Sequence, residues 1–481
     1  MRRPPLHGKA MISTPVARPF ADRSTRDTRR FKDLRSPALS LGLACALVPS
    51  LAAALDPGED GVRVTIPVSG IVDIAQAVVV DANGNVVLAG SGGGGNTSVL
   101  ARITPAGGVD LGFGTGGGIA SHDLSFNSGD SLRALVHDSA SGYFGCGVFN
   151  NVSAGTAQDF VVAHFDSSGA LVAAFNGSGY AVTSFLQSGS GAALVDQCNA
   201  VALQSDGMIV SAGVTNQTGH PHVALTRHTA QGQPDNNFGS AGKLAIDASQ
   251  NPNGDSEARA LLIQPDGKLL IAGYAAGAGN YEFLIMRLLV DGTPDPDFGT
   301  GGITRTPIGL GEDIANAMVL QPNGYVVLAG SAYIGGHNDF ALARYTSAGV
   351  LDPNFSGGKV TTPVGPGEDD ANALLLMPWG RLVAAGSARV STGGTGTDLA
   401  IVAYNANGTL DGYFGTAGKR MLNVSDLDSI VYGLASDVGR AHFWAVGTAH
   451  PSILDSQDFL AIEFGLPDTI FRHGFDTSTA P

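Results

Sequence analysis

The stretch Leu261-Leu-Ile-Gln-Pro-Asp-Gly-Lys-Leu-Leu-Ile-Ala-Gly273 decides the fold, because the same order of residue types recurs along most of the chain. Each copy ends in a small residue and a glycine, and successive glycines are 57, 66, 60, 57, 56 and 61 residues apart. These glycines are Gly90, Gly147, Gly213, Gly273, Gly330, Gly386 and Gly447. Seven units with a period this long indicate a solenoid, a propeller or a modular array.

Each unit is predicted to hold four short strands, which we name a to d in chain order. Strand a is an apolar run such as Ala371–Met377, and a turn such as Asp266-Gly267 leads to strand b. Asn-Gly and Asp-Gly pairs are the strongest short-range hairpin signal. Strand c is represented by Asp339–Tyr345, and a loop containing Phe, usually followed by Gly, leads to strand d. Pro363 favours an edge position for strand d, because proline cannot donate to a central ladder.

The apolar pattern chooses among these architectures. Strands a and b are nearly continuous in Val, Leu, Ile and Ala, which predicts burial of both faces, whereas a two-sheet sandwich would alternate. Blades stacked around an axis bury strands in this way. The sequence therefore predicts an all-β fold, a seven-bladed β-propeller of four-stranded antiparallel blades, over residues 55–466.

The two ends of the repeat region predict a closed ring. Val62–Val68 matches the strand d segment Lys359–Val364, and the last unit ends after its strand c, Phe459–Phe464. The chain thus holds seven complete sets of four strands. Either every blade is continuous in the order d-a-b-c, or the N-terminal strand completes the last blade. The sequence leaves both arrangements open.

Residues 1–54 differ from the rest of the chain. Ten Lys and Arg and three Asp lead into the apolar segment Ser36–Ala54, which ends in small residues, and this pattern is typical of a secretory signal peptide. A membrane anchor is the alternative, but Pro49 interrupts a run already short for a span. Without residues 1–54 the formal net charge changes from −15 to −22. A surface with this much negative charge disfavours the binding of nucleic acids and anionic lipids.

Two cysteines remain beyond the signal segment. Cys146 lies in strand b of the second unit and Cys198 at the start of strand a of the third. An oxidising compartment permits a bridge between adjacent blades. Other units place Ala or Leu at these positions, so the favoured interpretation is two small buried residues without a bridge.

Three phrases of the repeat carry a family resemblance. Gln264–Lys268, Asp339–Arg344 and Leu351–Phe355 recur in fixed order, and together they resemble the delta-60 repeat of bacterial secreted and surface proteins over roughly residues 60–464. The resemblance implies propeller-like β structure and implies no catalytic activity. In the tail 467–481, Asp468–Asp476 resembles a short C-terminal motif of secreted Gram-negative proteins; a tail strand or a disordered end is the alternative. We therefore expect a secreted, periplasmic or cell-surface protein of a Gram-negative bacterium.

Antiparallel blades give the ring two unlike faces. The d–a and b–c loops emerge on one face, which we call the loop face, and the a–b turns and c–d loops emerge on the other, the turn face. The regular turn face is expected to be structural. The variable, Gly-rich b–c loops Ser91–Asn96 and Ser387–Thr397 make the loop face the expected binding face.

Acidic residues collect on the loop face. They stand just before strand a and just before strand c: Asp73, Asp130, Asp196, Asp313 and Asp369, and Asp159, Glu282, Asp339, Asp398 and Asp458. One hypothesis is an acidic binding face for Ca²⁺ or a cationic ligand, since hard cations favour carboxylate oxygens. The favoured alternative is that each Asp accepts hydrogen bonds from its own turn.

Functional motifs are sparse. His220, His222 and His228 could supply a metal site, but without matching Cys or carboxylate spacing they are better interpreted as polar loop residues. No nucleophile elbow, phosphate loop or zinc-protease helix is present. We therefore predict a monomeric, secreted, non-catalytic propeller, without catalytic residues or a cofactor, that presents its loop face to a protein, glycan or cell-surface partner. The alternative is an extracellular polysaccharide-acting enzyme with a central acidic pocket.

Overall fold

The computed structural model describes residues 63–69, 72–125, 129–151, 158–185, 195–217, 219–251, 254–390, 396–424, 428–437, 442–450 and 457–465. The predicted signal segment and C-terminal tail lie outside these residues. The described chain forms seven four-stranded antiparallel sheets. The predicted seven-bladed β-propeller is therefore confirmed.

The strands are numbered in chain order, and β1 is Arg63–Ile66. Blades 1 to 3 are β2 Ile74–Val80, β3 Val86–Gly92, β4 Thr97–Ile103 and β5 Ile119–His122; β6 Ser131–Asp138, β7 Gly142–Phe149, β8 Asp159–Phe165 and β9 Tyr180–Thr183; β10 Asp196–Leu203, β11 Ile209–Thr215, β12 His222–His228 and β13 Lys243–Ile246. Blades 4 and 5 are β14 Ser256–Ile263, β15 Leu269–Ala276, β16 Tyr281–Leu288 and β17 Ile303–Thr306; β18 Asp313–Leu320, β19 Val326–Ile334, β20 His337–Tyr345 and β21 Lys359–Thr362. Blades 6 and 7 contain β22 Asp369–Leu376, β23 Leu382–Arg389, β24 Thr397–Tyr404 and β25 Lys419–Leu422; β26 Ser429–Asp437, β27 His442–Ala449 and β28 Asp458–Gly465. Single 3-10 turns span Ser356–Gly358 and Pro378–Gly380.

The N-terminal strand closes the ring. β1 pairs antiparallel with β28, with Arg63 opposite Ile462 and Ile66 opposite Phe459, and it is the outer strand of blade 7. Of the two arrangements left open by the sequence, the structure has the one in which the chain start completes the last blade. No helix within the described ranges is long and apolar enough to cross a membrane.

Strand a of each blade lies at the centre of the ring. The first strands contact one another in succession, and β2 of blade 1 contacts β26 of blade 7. Strand b is buried on both faces, as predicted, and strand c is largely buried as well, but strand a alternates between buried and half-buried residues. The expected burial of both faces of strand a is therefore wrong, because strand a forms the inner edge of its blade, beside the central space of the ring.

Every first strand contains a β-bulge, and the repeated glycine lies opposite it. In blade 1 the pairing passes from Ala75–Gly90 to Ala77–Ala89, which leaves Gln76 as the extra residue. A Cβ at Gly90 would lie 1.8 Å from the carbonyl oxygen of Ile74. The other six glycines of the repeat would bring a Cβ within 1.8–1.9 Å of the equivalent carbonyl oxygen. Only glycine fits here, which explains the landmark that defines the sequence period.

The turn face is built from a repeated side-chain set. Arg287 Nε donates to Asp295 at 2.8 Å, its Nη1 donates to the carbonyl of Ser347 in the next blade at 2.5 Å, and its guanidinium lies 4.6 Å from the centre of the Phe298 ring. Equivalent sets contain Arg102 with Asp110 and Phe113, Arg227 with Asp235 and Phe238, and Arg344 with Asp352 and Phe355. Each set ties one blade to the next, in agreement with a structural turn face.

Cys146 and Cys198 form a disulfide, with their Cα atoms 5.8 Å apart. The favoured interpretation of two unbridged cysteines is therefore wrong. Both positions are fully buried between blades 2 and 3. The junction of strand b of one blade with strand a of the next brings these two small residues within bonding reach, a proximity that spacing in the sequence does not show.

Candidate functional site

The aspartates that precede strand a hold the backbone of the d–a loops. Asp73 Oδ2 accepts hydrogen bonds from the backbone N–H of Val68 and Ser69 at 3.0 and 2.8 Å. The same contact recurs at Asp130, Asp196, Asp313 and Asp369, with donor distances of 2.6–3.0 Å. All five residues are buried. These are the contacts that the turn-binding interpretation expects.

The acids that precede strand c lie at the junctions between blades. Asp159 accepts a hydrogen bond from Asn151 at 2.9 Å, and Asp339 pairs with His337 at 3.2 Å. Burial raises the pKa of Asp196, and Asp159 of the preceding blade raises it further.

Two more junctions repeat this electrostatic arrangement. Burial raises the pKa of Asp369, and the charge of Asp339 raises it further. Burial likewise raises the pKa of Glu282, and the charge of Asp313 also raises it. The pKa of Asp398 is raised by burial, and Asp458 is buried. Within the described ranges, no three His, Cys, Asp or Glu side chains are grouped so as to hold a metal ion. The acidic binding face stays a prediction.

The three histidines of the third unit have separate surroundings. His220 lies at the surface beside Asp255, with 3.6 Å between Nδ1 and Oδ1. His228 is buried within hydrogen-bond distance of Thr183, and burial lowers its pKa to about 4. His222 begins β12 and is half-buried. His228 therefore departs from the prediction of exposed polar loop residues, because strand c carries it into the blade.

The bulges converge on a cavity of about 410 Å³ at the centre of the ring. Its lining contains one bulge residue from each of the seven blades: Gln76, Arg133, Asn199, Arg259, Asn316, Asn372 and Tyr432. Gln197 and Glu257 complete the lining. Bulges re-aim side chains and are over-represented beside functional sites. The bulges lie near the start of strand a, so the polar ring is close to the loop face.

Hydrogen bonds connect this lining from blade 2 through to blade 7. Arg133 Nη1 donates to Asn199 Oδ1 at 2.9 Å, and Asn199 Nδ2 donates to the carbonyl of Ala258 at 2.9 Å. Arg259 Nη1 donates to Asn316 at 3.0 Å. Further along the ring, Asn316 donates to the carbonyl of Ala371 and Asn372 to that of Val431, both at 2.9 Å. Five of the seven bulge residues are thus held in place before any ligand enters.

The charged residues of the cavity lie in blades 2 and 4. Glu257 Oε1 lies 3.2 Å from Arg259 Nε and accepts a hydrogen bond from Asn199 at 3.0 Å, while its Oε2 accepts one from Tyr274 at 2.9 Å. Glu257 is therefore compensated. Burial lowers the pKa of Arg133, the charge of Glu257 opposes this effect, and the charge of Arg259 adds to it.

A polar network extends from this cavity towards the surface of blade 4. The rings of Tyr274 and Tyr281 have centroids 4.7 Å apart. Tyr281 donates to Asp255 at 2.9 Å, and Asp255 lies beside His220. Burial, and then the neighbouring carboxylates, raise the pKa of both tyrosines. Both tyrosines therefore act as neutral hydrogen-bond donors at one side of the cavity.

The bulge residues are the functional candidates that sequence reasoning missed. Their signal is one polar residue between small or apolar residues in strand a, as in Ala258-Arg-Ala260, Ala315-Asn-Ala317 and Ala371-Asn-Ala373. The predicted site residues lie instead in the d–a loops and blade junctions. The structure brings the bulge residues together from seven positions separated by roughly a repeat length.

Three repeats of this chain match a family model that is described as a β-propeller. Residues 264–298, 321–355 and 380–414 match the family "Domain of unknown function (DUF5122) beta-propeller". No curated protein matches the sequence.

Several solved structures match most of this chain at low sequence identity. A protein of unknown function from Dyadobacter fermentans is 13% identical, covers 85% of this chain and 100% of its own, and has a TM-score of 0.44. The RRP9 WD40 repeats are 10% identical, with coverage of 84% and 97% and a TM-score of 0.43. A PL25 ulvan lyase is 12% identical, with coverage of 85% and 94% and a TM-score of 0.45. These likenesses concern the fold alone, and three repeats of this chain are similar to the DUF5122 beta-propeller family.

Proposed function

We propose that this chain is a secreted, non-catalytic binding propeller of the delta-60 type, whose central cavity takes up a polar group of an extracellular glycan or other cell-surface partner. The observation that carries the proposal is the ring of seven bulge residues. A binding site needs convergent polar groups on a rigid frame, and the bulges supply one such group from every blade. Their position near the loop face gives a partner access from the side with the variable loops.

The frame is suited to binding because little must be ordered when a ligand arrives. Five of the seven bulge residues are already fixed by hydrogen bonds between blades, and preorganisation reduces the entropic cost of association. A volume of about 410 Å³ lies within the range of small-ligand sites. The disulfide between Cys146 and Cys198 supports the proposed extracellular location, since such bonds persist in oxidising compartments.

The alternative of an enzyme with a central acidic pocket receives less support. Acid–base cleavage of a glycosidic bond canonically uses two carboxyl groups that flank the bond. Among the described residues that line the cavity, Glu257 is the only carboxylate, and Arg259, Asn199 and Tyr274 already bind it. Binding without turnover is therefore the proposed function.

The test uses the full chain and an array of neutral and acidic oligosaccharides. Gln76→Trp places a large ring in the cavity at a position whose side chain is half-buried. Leu111→Trp is the matched control, because Leu111 is 71% exposed in a c–d loop of the turn face. We expect array binding by the wild-type chain and the control, and a loss of at least about tenfold in affinity for Gln76→Trp.

Three outcomes would count against the proposal. Equal binding by both tryptophan variants would move the site away from the cavity. Chromatographic detection of new products after incubation with the bound oligosaccharide would show turnover and favour the enzyme. An array without any bound oligosaccharide, together with no binding to intact Gram-negative cells, would remove the glycan or cell-surface function.

A further inference from the structure

We propose that the central cavity selects an anion, and that Arg133 supplies the charge that binds it; the ligand class is a small hydroxylated carboxylate such as a sugar acid. This inference rests on the proposed binding function and specifies its ligand. A central anion site contrasts with the overall charge of the chain, because the protein is strongly acidic while the lining at the centre of its ring is not.

The first step is the charge balance of the cavity. Its lining contains two cations, Arg133 and Arg259, and one anion, Glu257. Arg259 lies 3.2 Å from Glu257, so these two charges compensate one another. One positive charge remains. An uncompensated charge held away from water is costly unless a partner of opposite sign is present.

The second step is the state of Arg133 itself. Its Nη1 donates to the neutral oxygens Gln197 Oε1 and Asn199 Oδ1 at 2.8 and 2.9 Å. No described carboxylate forms an ion pair with Arg133, in contrast to Arg102, Arg227, Arg287 and Arg344 of the turn face. The guanidinium is therefore fixed in direction by two amides and keeps donor capacity for a further acceptor. A planar guanidinium suits a carboxylate especially well, because it can donate two parallel hydrogen bonds.

The third step is the rest of the lining. Gln76, Asn316, Asn372 and Tyr432 stand around the cavity opposite the charged blades. Side-chain amides both donate and accept hydrogen bonds, and so does a phenol. Hydroxyl groups of a ligand have the same dual character. A lining with one cationic group and several neutral groups that both donate and accept hydrogen bonds therefore fits a ligand with one acid group and several hydroxyls.

The experiment measures binding of glucuronate and glucose to the full chain by isothermal titration calorimetry. The two sugars share a ring and differ in the carboxylate. Arg133→Gln removes the charge and keeps an amide, and Lys359→Gln removes one positive charge from the exposed outer strand β21. Sodium sulfate serves as a probe of charge without hydroxyls.

We expect glucuronate to bind more tightly than glucose, and Arg133→Gln to lose roughly tenfold to a hundredfold of glucuronate affinity. Lys359→Gln should bind as the wild-type chain does. Tighter binding of sulfate than of glucuronate would overturn the hydroxylated class and retain the anion site. Equal binding of glucose and glucuronate, or unchanged glucuronate binding by Arg133→Gln, would overturn the anion site.

Failure of this inference is distinguishable from failure of the proposed function. If neither glucuronate nor sulfate binds, the anion site is refuted. The oligosaccharide array with Gln76→Trp then still reports whether the cavity binds a neutral glycan. Circular dichroism and thermal melting of Arg133→Gln confirm that a loss of affinity does not reflect unfolding.

Discussion

Replacing Gly273 by alanine tests whether the repeated glycine exists to accommodate the bulge beside Arg259. A Cβ at position 273 would lie 1.9 Å from the carbonyl oxygen of Glu257 and 3.2 Å from the Cα of Ala258. Non-bonded heavy atoms pack about 3.5 Å apart, so strand a would have to move by more than about 1 Å. Overpacking costs about 1–3 kcal/mol. We expect the upper end, about 3 kcal/mol, because the obstacle is backbone and not a flexible side chain.

Thermal unfolding followed by circular dichroism measures this loss. An unfolding entropy of about 2.1 cal/mol/K per residue over about 400 residues gives about 0.8 kcal/mol/K, so Tm should fall by about 4 °C. Gly279→Ala is the matched control in the loop of the same hairpin, where an added Cβ meets no atom within 4 Å. Its Tm should stay within about 1 °C of the wild type. Equal shifts for the two variants would refute the link between glycine and bulge.

Four further measurements test the interpretation. Reducing the Cys146–Cys198 bond opens a loop with a sequence separation of 52, and urea unfolding should show a loss of about 4 kcal/mol; an unchanged midpoint would mean that the bond does not constrain the unfolded chain. Asp369→Ala should lose about 1–3 kcal/mol at pH 7 because two partly buried backbone N–H groups lose their acceptor, whereas Asp369→Asn keeps an acceptor and should retain stability. Millimolar Ca²⁺ should leave Tm unchanged, since the loop-face carboxylates already bind backbone donors; a rise would restore the cation hypothesis. Burial lowers the pKa of folded His228 to about 4, below its unfolded value. The contribution of neutral His228 to the free energy of unfolding is therefore full above about pH 6.5 and is lost as the pH falls. Between pH 7 and pH 5, the free energy of unfolding of the wild type should fall by about 2 kcal/mol more than that of His228→Gln.

The regular parts of this molecule are the parts that the sequence predicts. The turn dipeptides, the repeated glycine and the Arg–Asp–Phe set act within one unit or between consecutive units, so their period is visible along the chain. The last unit is not followed by a strand d, and the sequence shows where its counterpart lies, because Val62–Val68 has the pattern of a strand d. The sequence does not show how the ring closes, because both arrangements contain the same strands and differ only in the blade edge with which β1 pairs.

The cavity could not be predicted in the same way. In an apolar run such as Ala371-Asn-Ala373, the polar residue reads as an interruption of strand a, and only the bulge opposite Gly386 shows that it turns towards the axis. The disulfide was missed for a related reason. Contacts between strand b of one blade and strand a of the next depend on the rotation between blades, which no local pattern encodes.

The same glycine therefore links stability to binding. It fixes where each bulge forms, and the bulge fixes which residue reaches the axis, so the frame is constant while one position per blade is free to vary. Across the seven blades that position holds Gln, Arg, Asn, Arg, Asn, Asn and Tyr. A ring with pseudo-sevenfold backbone symmetry thereby acquires an asymmetric lining, charged in blades 2 and 4 and neutral elsewhere. A ligand bound by this lining has one preferred orientation, which sevenfold symmetric residues could not impose.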